Sequence, residues 1–389
     1  MPTNQRISGQ RLFIFAGGGT GGHLYPGLAI AEQLWAQLGD RCSCLFLCST
    51  RAIDRRVLEA ARLGAAGGQP IKFEPIAAQP LSLRPLALLR FLRAWGPSIR
   101  STRAAIAAGR ARGASVHVVA MGGFVAAPAV QAAIAERVPV TLVNLDAVPG
   151  KANRWIAGRI REGKVFTAAV VDDAIAKGWV TVPPIVRAGA QAKCSSAEAR
   201  LALGLAEQAP TLMVTGGSQG AGSVNRFLAA FAESEPGKAL RGWQVLHQSG
   251  DDDNRELEAA YASAGAAKVV VTKFVDQMGL WWRAADLAVS RCGAGSVAEA
   301  WASGCPSLFL PYPFHTDEHQ RKNAVVLERA GGAVVVTDLV DPARNLAANA
   351  AALAGLLGDE ARRTAMRRAI EGLGPVDGAE RVARGLVGT

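Results

Sequence analysis

Two glycine-rich turns, each directly after a short apolar segment, constrain the fold of this chain most strongly. The first turn, residues 17–22, follows the apolar segment 12–16, and the second, residues 216–220, follows the segment 212–215. In α/β proteins such a turn joins the first strand of a doubly wound sheet to a helix whose N-terminus faces a ligand. Two of these turns in 389 residues predict two domains, each with a parallel sheet and a ligand-binding edge.

The alternation of strand-like and helical segments predicts an α/β fold throughout the chain. Residues 26–38, 360–371 and 379–387 are predicted as helices, and residues 181–187, with two adjacent prolines, as the linker between domains. The remaining strands are predicted at residues 44–48, 116–120, 140–144, 165–171, 244–247, 268–272, 287–290, 307–310 and 333–336. We therefore expect two doubly wound parallel-sheet (Rossmann-like) domains that face each other across a cleft containing the active site.

The excess of positive charge favours an anionic binding partner. The chain has 43 Lys and Arg against 32 Asp and Glu, which favours a nucleic acid, an anionic membrane surface or a phosphorylated substrate. Only 6% of the residues are aromatic and no basic–aromatic motif occurs, so we predict no nucleic-acid partner. No apolar run reaches the ~18 residues needed to span a bilayer, and the N-terminus lacks signal-peptide features. We therefore expect a cytoplasmic protein without a membrane span.

No metal and no cofactor are expected. Cys42, Cys44 and Cys48 lie close together, but no second pair follows at a ligand spacing, which favours reduced thiols on a buried strand. Residues 315–320 contain two histidines without the H-E-x-x-H spacing, and two prolines upstream favour a loop whose polar side chains suit sugar hydroxyls. The acidic run 251–253 is predicted as a solvated turn that caps a helix.

The first turn formally matches the dinucleotide-binding fingerprint, with glycines at positions 17, 19 and 22. That fingerprint also requires an acidic residue at the end of the second strand, whereas here the first acid is Asp54, beyond the turn. Arg51 remains as a partner for a 2′-phosphate, so a dehydrogenase is a disfavoured alternative. The turn is followed by His23, whose ordinary pKa near neutrality suits a general base. A helix-terminal histidine bonded to the backbone is the other interpretation.

Two segments of the second half are predicted to bind a nucleotide. Residues 216–220 present backbone N–H groups and the Ser218 hydroxyl at a helix N-terminus, an arrangement that holds phosphate oxygens; a plain glycine turn is the alternative. Residues 291–299 form another glycine-rich helix start after a predicted strand. Glu299 lies one turn into that helix, where a carboxylate can accept from two ribose hydroxyls; the alternative is an acid that complements the helix dipole.

One segment has the composition of an interfacial membrane helix. No acidic residue occurs between Glu74 and Glu136, and this stretch contains seven arginines interleaved with leucines and aromatic residues. We predict that it binds an anionic membrane surface, and a core-facing helix with a solvated basic face is the alternative. The predicted contact residues are Leu88, Arg90, Phe91, Arg93 and Trp95.

Several motifs, in the same order along the chain, resemble those of the MurG family of glycosyltransferases. The motifs are Gly18-Gly-Thr-Gly-Gly-His23 with Pro26-Gly-Leu-Ala, Met121-Gly-Gly-Phe-Val125, Gly216-Gly-Ser-Gln-Gly-Ala221, His247-Gln-Ser-Gly250 and Glu318-His-Gln-x-x-Asn-Ala324. The resemblance extends from about residue 11 to 340 and implies the GT-B architecture. It implies an acceptor and membrane domain of residues 1–182, a UDP-sugar domain of residues 183–364, and a C-terminal helical segment, about 365–389, that packs back on the first domain.

The resemblance also implies a reaction and its residues. The family transfers N-acetylglucosamine from UDP-N-acetylglucosamine to lipid I, a polyprenyl-pyrophosphate-linked muramyl peptide, with inversion and without a metal, giving lipid II for peptidoglycan synthesis. Such an enzyme is expected on the cytoplasmic face of the cell (inner) membrane as a peripheral protein. His23 matches the family's candidate base. The positions that match substrate-binding residues are Thr20, Gly21, Gly22, Asn153, Arg187, Gly217, Ser218, Gln219, Val275, Met278, Ala294, Gly295, Ser296, Val297, Ala298, Glu299, Gln320 and Asn323.

Two departures from the family pattern lie on the acceptor side. The family usually has a His-Glu-Gln-Asn stretch where this chain has Val143-Asn-Leu-Asp146, and the glycine-rich acceptor loop is absent from residues 78–84. We expect Asp146 to act as a polar partner for the sugar or for His23. The alternatives are a related GT-B glycosyltransferase with another lipid acceptor and a non-catalytic membrane-associated GT-B scaffold.

Overall fold

The computed structural model describes residues 9–19, 21–63, 68–160, 164–217, 220–250, 254–314 and 317–388. Its chain forms two compact units, which we call unit 1 (Met1–Arg187 with Asp377–Thr389) and unit 2 (Ala188–Val376). In each unit, helices connect the parallel strands of a single large sheet. This is the α/β class, with two parallel sheets, that the two glycine-rich turns predicted.

The strands number fifteen within the described residues. Unit 1 contains β1 (Arg11–Ala16), β2 (Cys42–Cys48), β3 (Arg62–Leu63), β4 (Gln69–Pro70), β5 (Lys72–Pro75), β6 (Ser115–Ala120), β7 (Val140–Asn144), β8 (Val165–Thr167) and β9 (Val180–Thr181). Unit 2 contains β10 (Thr211–Thr215), β11 (Gln244–Gln248), β12 (Lys268–Thr272), β13 (Leu287–Ser290), β14 (Ser307–Phe309) and β15 (Ala333–Val335).

The helices lie between these strands and at the end of the chain. Unit 1 contains α1 (Gly21–Leu38), α2 (Ala52–Ala60), α3 (Pro85–Ala111), α4 (Gly123–Ala135) and α5 (Lys151–Ala157). Unit 2 contains α6 (Ser196–Ala202), α7 (Gly222–Ala232), α8 (Asn254–Ser263), α9 (Met278–Ala284), α10 (Ala294–Ser303), α11 (His319–Ala330), α12 (Pro342–Gly358) and α13 (Glu360–Glu371). The last helix, α14 (Gly378–Val387), belongs to unit 1.

The order of the strands places both glycine-rich turns at the centre of a sheet. The sheet of unit 1 has the order β5-β2-β1-β6-β7-β8-β9, and that of unit 2 has the order β12-β11-β10-β13-β14-β15, with all neighbours parallel. In each sheet, the strands that follow β1 or β10 are first added on one side of it, and the later strands are added on its other side. The carboxyl ends of β1 and β10 are therefore the switch points at which doubly wound sheets bind ligands.

The central strands are apolar because helices cover both of their faces. In β1 every residue after Arg11 is buried, and all five residues of β10 and of β11 are buried. Leu12 and Ile14 pack on one side of the sheet of unit 1, in a cluster with Val125 and Val130 of α4. Such continuous burial is typical of parallel sheets and accounts for the uninterrupted apolar segments in the sequence.

The chain returns to unit 1 at its C-terminus, later than the sequence suggested. α14 packs against α1, and a side-chain nitrogen of Arg11 in β1 donates to the carbonyl of Val387 (2.8 Å). α13, by contrast, packs in unit 2, where Ile370 and Met366 are buried in the core. The returning segment therefore begins at Asp377 and not near residue 365, because α13 directs its apolar face to unit 2.

The structure also differs from the predicted elements at several ends. α1 begins at Gly21, five residues before Pro26, so the proline lies in the second turn and cannot donate to the carbonyl of Gly22. β8 ends at Thr167 and not at Val171. Within the predicted linker, Thr181 pairs with β8 as part of the edge strand β9. The eleven predicted strands are all present, whereas β3, β4, β5 and β9 were not predicted, because short exposed strands carry no apolar signal.

Candidate functional site

The first glycine-rich turn joins β1 to α1 and is closely surrounded by side chains. Gly19 has φ +88°. A Cβ on Gly18 would lie 2.4 Å from Oδ2 of Asp54, and one on Gly19 would lie 2.5 Å from the ring of Phe124. The same Oδ2 atom accepts hydrogen bonds from the backbone N–H groups of Gly19 (2.8 Å) and Ser49 (2.9 Å). Glycine is required here because neighbouring side chains occupy the space of a Cβ.

His23 lies in the first turn of α1 and is half-buried. Burial lowers the pKa of His23 below 6.5, while the carboxylates of Asp146 and Asp54 and a hydrogen bond with the backbone of Gly18 raise it in part. Gly123 leaves room for the ring, since its Cβ would lie 3.3 Å from Cε1 of His23. The imidazole is therefore mostly neutral at pH 7 and able to accept a proton.

The loop that carries Asp146 is fixed by amide side chains. Nδ2 of Asn144, at the end of β7, donates to the carbonyl of Asp146 (2.8 Å), and Nδ2 of Asn153 donates to Oδ1 of Asn144 (3.0 Å). The buried Oδ1 of Asn153 has no hydrogen-bond partner among the described residues, and it lies 2.8 Å from the Cβ that Gly122 would carry. Asn153 and Asp146 thus reach the same end of the sheet of unit 1 as His23.

Arg187, expected to bind the donor pyrophosphate, is held by an acidic residue of α1. Its Nε and Nη2 atoms both lie 3.0 Å from Oε1 of Glu32. Both side chains are partly buried. The ion pair fixes the guanidinium on unit 1, next to the boundary between the units along the chain.

The second glycine-rich turn, between β10 and α7, is supported by neutral groups. The N–H of Gly217 donates to Oγ1 of Thr215 (3.1 Å), which in turn donates to Oε1 of Gln248 (2.7 Å). Gly220 has φ +72°, and a Cβ there would lie 2.9 Å from the carbonyl oxygen of Ser249. The turn is therefore closely packed on the end of β11, and its backbone N–H groups precede α7 as a phosphate-binding turn requires.

Glu299, the predicted ribose ligand, lies in α10 and contacts a buried tryptophan. Its Oε2 accepts a hydrogen bond from Nε1 of Trp282 (2.8 Å). Burial raises the pKa of Glu299 to about 7, and the Trp282 N–H acts in the opposite direction. The carboxyl group is thus held in one orientation, and its charge changes near neutral pH.

The other predicted residues of unit 2 divide into accessible and buried sets. Ala294, Gly295 and Ser296 are half-buried at the N-terminus of α10, whereas Val275, Val297 and Ala298 are buried. Only the backbone of this buried set is suited to a ligand. The remaining members are Gly217, Met278 and Gln320, all half-buried, and Asn323, which is buried and donates to the carbonyl of Cys292 (3.4 Å).

The Gln320 side chain is held in place by a hydrogen bond to a nearby loop. Its Oε1 accepts from the backbone N–H of Tyr312 (2.9 Å), which ties α11 to the loop after β14.

The remaining predicted residues lie near the two glycine-rich turns. In unit 1, Gly21 is buried and Gly22 is exposed in the first turn of α1. Thr20, Ser218 and Gln219 lie outside the described residues, as do residues 251–253 and 315–316.

A buried ion pair beside the second turn was missed from the sequence. A side-chain nitrogen of Arg291 lies 2.7 Å from Oδ2 of Asp338, and Ser223 in the first turn of α7 donates to the same oxygen (2.6 Å). Although burial raises it, hydrogen bonds from Asn345 and Ser223 leave the pKa of Asp338 below its ordinary value. The pair anchors the N-terminus of α7 to β13. The sequence offered no signal, because Asp338 is 115 positions from Ser223.

No group of three or more His, Cys, Asp or Glu side chains within the described residues is placed to hold a metal ion. His319 pairs with Asp317 through Nδ1 and Oδ1 (2.9 Å). The thiols of Cys42 and Cys44 are buried on β2, with sulfur atoms 3.7 Å apart, and neither is in a disulfide. Free thiols on a buried strand were the predicted state.

The N-terminal half of α3 exposes apolar side chains, but not all of those predicted. Leu83 is 89% exposed and Leu86 is 74% exposed. Leu88, Phe91 and Trp95 are half-buried, and Nε1 of Trp95 donates to Oε1 of Gln131 in α4 (2.8 Å). Leu83 and the exposed Leu81 precede the helix, whereas Leu89, Leu92, Arg90 and Arg93 are exposed within it.

Two of the seven arginines in this region are engaged in ion pairs. Arg103 and Arg110 both pair with Glu136, at 2.7 and 3.6 Å. The basic charge left for a partner is therefore concentrated toward the start of α3. Among the described residues, no helix is both long enough and apolar enough to cross a bilayer.

Comparison with known proteins identifies the family. The chain matches the glycosyltransferase family 28 N-terminal domain over residues 13–162 and the family 28 C-terminal domain over residues 211–372. A UDP-N-acetylglucosamine–N-acetylmuramyl-(pentapeptide) pyrophosphoryl-undecaprenol N-acetylglucosamine transferase of Halorhodospira halophila is 34% identical over 96% of this chain and 97% of the relative. The enzyme of the same name from Mycobacterium avium is 35% identical over 95% of this chain and 87% of the relative.

Solved structures agree in fold. The crystal structure of MurG from Acinetobacter baumannii has a TM-score of 0.69 at 23% identity, covering 98% of this chain and all of the other. A UDP-glucosyltransferase from Polygonum tinctorium has a TM-score of 0.64 at 15% identity, covering 97% of each chain. These likenesses show the fold, while the curated relatives and both domain matches show the family. The chain belongs to the MurG family, within glycosyltransferase family 28.

Proposed function

We propose that this chain is an inverting N-acetylglucosaminyltransferase that transfers the sugar from UDP-N-acetylglucosamine to the 4-hydroxyl of the muramyl sugar of lipid I, forming lipid II. The observation that carries the proposal is His23, a mostly neutral imidazole at the first glycine-rich turn with the Asp146 carboxylate acting on it. Relatives that match nearly the full chain carry this activity in their names.

In the proposed reaction, the acceptor oxygen attacks the anomeric carbon of the donor sugar. The bond from that carbon to the phosphate oxygen breaks, UDP leaves, and His23 takes the proton of the attacking hydroxyl. The lowered pKa of His23 keeps the base unprotonated before the reaction. The negative charge of Asp146 then stabilises the imidazolium that forms, because opposite charges in a partly buried site interact strongly.

Unit 2 is proposed to bind the donor. The Glu299 carboxylate accepts from the ribose hydroxyls, and the N-terminal turns of α7 and α10 direct backbone N–H groups to the pyrophosphate. Arg187 adds positive charge for the pyrophosphate that develops in the transition state. The ion pair with Glu32 supports this role, since it holds the guanidinium in a defined position before the donor binds.

The start of α3 is proposed to bind the anionic cytoplasmic face of the cell membrane, where a polyprenyl-linked acceptor resides. Leu83, Leu86, Leu89 and Leu92 would enter the interface, with Arg90 and Arg93 near the lipid head groups. This assignment replaces Leu88, Phe91 and Trp95 as the inserted residues, because all three are half-buried. Trp95 contacts α4 and α5, and the ring of Phe91 packs on Trp95.

The transfer is tested with the purified full chain, labelled UDP-N-acetylglucosamine and a set of acceptors. We expect label in lipid II when lipid I is supplied, and none with diacylglycerol or with a polyprenyl phosphate that lacks the muramyl peptide. Transfer to one of those acceptors alone would replace lipid I in the proposal. Binding of UDP without transfer to any acceptor would favour the non-catalytic scaffold.

Membrane binding is tested by co-sedimentation with vesicles. We expect binding to vesicles containing anionic lipid and far less to neutral ones. Substituting Glu for Arg90, Arg93 and Arg100 removes about 1 kcal/mol per residue, which weakens binding roughly 10²-fold. The matched control places Glu at Arg344, Arg362 and Arg368, three exposed arginines of unit 2, and should leave binding unchanged. Equal loss of vesicle binding in both variants would show that net charge alone, and not the position of these arginines, causes the effect.

A further inference from the structure

The first glycine-rich turn contains a buried acidic residue that the proposed reaction does not use. Asp54 is completely buried at the start of α2, in the third helical position. An acid at this position ordinarily accepts from the backbone N–H of the N-cap residue. Here the N-cap N–H, that of Arg51, instead donates to Oγ of Ser49 (3.3 Å). The Asp54 carboxylate is directed away from its own helix, toward the turn.

One oxygen of this carboxylate makes all of its hydrogen bonds. Oδ2 accepts from the N–H of Gly19 (2.8 Å) and from the N–H and hydroxyl of Ser49 (2.9 and 2.7 Å). Oδ1 is buried and has no partner among the described residues. A buried carboxylate that is only half satisfied is costly, so a role in stability alone accounts poorly for an acid at this position.

The peptide group between Gly18 and Gly19 links Asp54 to His23. The N–H of this peptide belongs to Gly19 and donates to Asp54, and its carbonyl belongs to Gly18. The hydrogen bond between His23 and the backbone of Gly18 raises the pKa of the imidazole, so the ring is the donor and the carbonyl is the acceptor. The carbonyl oxygen of Gly18 lies 3.1 Å from the position that a Cβ on Gly123 would take, and the Cε1 and Nδ1 atoms of His23 lie 3.3 and 3.4 Å from it. We therefore assign Nδ1 as the nitrogen that donates to this carbonyl.

These contacts form a chain of hydrogen bonds through a single amide. Hydrogen bonds that share a peptide group polarise each other, so a carboxylate at the N–H strengthens the carbonyl as an acceptor. A donor bond from Nδ1 leaves the lone pair on Nε2, which makes Nε2 the basic nitrogen. A side-chain nitrogen of Arg51 donates to the carbonyl of Gly19 (2.6 Å), so the next peptide is fixed as well.

We propose that Asp54 is a positioning residue for the general base, acting on His23 through the Gly18–Gly19 peptide and so selecting its orientation and tautomer, with Arg51 holding the same turn from the other side. This inference rests on the proposed role of His23. In other enzymes a carboxylate orients the catalytic histidine by direct contact. Here the buried Asp54 would do so through one peptide group. The charged groups that act on the imidazole are then Asp54 from α2 and Asp146 from the loop after β7.

The test compares Asp54→Asn with Asp54→Ala in the full chain. Asn keeps one acceptor for the Gly19 N–H and removes the charge, whereas Ala removes both. We expect Asp54→Asn to leave the KM for UDP-N-acetylglucosamine within about twofold and to move the acidic limb of the kcat profile to lower pH, because the charge that raises the pKa of His23 is gone. Asp54→Ala should lower kcat by about 10²-fold, since a misplaced base loses its alignment.

A spectroscopic measurement separates positioning from a structural role. With ¹⁵N-labelled histidine, only five side chains contribute to the spectrum, and the His23→Gln spectrum assigns the resonance of interest. Wild type should show the Nδ1–H tautomer of His23, and Asp54→Asn should increase the Nε2–H form. The control Asp40→Asn makes the same change at an exposed position and should alter neither the tautomer nor the pH limb.

A second pair of variants avoids the risk that Asp54 substitutions unfold the chain. Arg51 is exposed, so Arg51→Ala should fold normally, lower kcat by about 10-fold through a looser turn, and leave the pH limb in place. Arg55→Ala, one turn further along α2, should have no effect. An unchanged tautomer and pH limb in Asp54→Asn, together with full activity of Arg51→Ala, would overturn the inference. A His23→Ala variant with full activity would instead overturn the proposed function on which it rests.

Discussion

The glycine-rich turns after β1 and β10 occupy the same place in their sheets, yet their surroundings differ in charge. The turn of unit 1 is bonded to the carboxylate of Asp54 and leads to a histidine whose protonation two acids influence. The turn of unit 2 is supported by the hydroxyl of Thr215 and the amide of Gln248. In the proposed reaction, one sequence pattern therefore serves two purposes: the turn with charged neighbours is assigned to proton transfer, and the turn with neutral neighbours to phosphate binding.

A buried neutral network lies beneath the second turn. Nε2 of His247 is hydrogen-bonded to Oδ1 of Asn225 in α7 (2.9 Å), and Nδ1 to the hydroxyl of Tyr261 (2.8 Å). Burial lowers the pKa of His247 to about 3, so this histidine stays neutral at any pH at which the protein works. The histidines next to the two turns thus differ in their tendency to take up a proton, because His23 has carboxylates near it and His247 has only neutral partners.

The largest effect should come from removing the base of the first turn. We expect His23→Ala to lower kcat by about 10²–10⁴-fold and to leave the affinity for UDP unchanged, because the nucleotide is assigned to unit 2. Wild-type kcat/KM should rise with pH through the pKa of His23, which lies below 6.5, and level off by pH 7. Steady-state kinetics with calorimetric UDP binding measure both. A loss of UDP affinity in the variant would erase the functional division between the turns.

The second-largest effect should come from Glu299, the proposed ribose ligand of unit 2. Removing a charged acceptor costs roughly 1.5–3 kcal/mol, so Glu299→Ala should weaken UDP binding by about 10–150-fold. UDP affinity should also increase as the pH rises through about 7, because deprotonation of Glu299 creates the better acceptor. Glu299→Gln should abolish that dependence. Calorimetry between pH 5.5 and 8.5 checks both, and an affinity independent of Glu299 would remove it from the site.

Trp282→Phe refines this prediction, because it removes the N–H that donates to Glu299 together with part of a buried ring. Since that N–H lowers the pKa of Glu299, its loss should move the midpoint of UDP binding above pH 7. Trp281→Phe, at the adjacent buried residue, is the matched control and should leave the midpoint in place. An identical midpoint in all three proteins would place the titration on another group.

Equivalent glycine substitutions compare the two turns directly. An L-residue at φ near +80° is strained by about 1–2 kcal/mol. If the turn must move to relieve this strain, kcat or UDP affinity should change by roughly 5–30-fold. Gly19→Ala should therefore lower kcat, and Gly220→Ala should lower UDP affinity. Gly113→Ala and Gly242→Ala have φ values of +77° and +80° with nothing near the Cβ, and so report the backbone strain alone. Reversed effects would contradict the assigned roles.

The smallest expected effect is that of metal removal. Activity should change less than about twofold after exhaustive EDTA treatment, because helix N-termini and Arg187 are assigned to the donor phosphates. The transfer assay before and after chelation checks this. Loss of transfer that Mg²⁺ or Mn²⁺ restores would require a metal at the donor and a different account of the second turn.

Much of the fold follows from local patterns in the sequence. Continuous apolar segments marked the central strands, and glycines after β1 and β10 marked the switch points, because both signals depend on a few adjacent residues. The edge strands β5 and β9 were missed since most of their residues are exposed. The end of α13 was assigned to the wrong unit because an amphipathic helix does not indicate which core it joins.

The candidate sites were predictable only where a motif contains them. His23 and Glu299 stand inside glycine-rich segments, but their partners are distant along the chain: Asp54 is 35 positions from Gly19, and Trp282 is 17 from Glu299. In the sequence Asp54 lies beyond the fingerprint, whereas the fold brings it to the turn. The composition of α3 did not show that Trp95 faces α4, because both faces of that helix contain apolar residues.

The return of α14 to unit 1 affects how the chain folds during translation. α1 lies against α14, and Val382 and Leu386 are buried there. Residues 188–376 are made between the two parts of unit 1. At about 5–20 residues per second, that interval is roughly 10–40 s. A nascent chain on the ribosome thus holds an incomplete first unit with an uncovered apolar face on α1 until α14 has been made and has emerged.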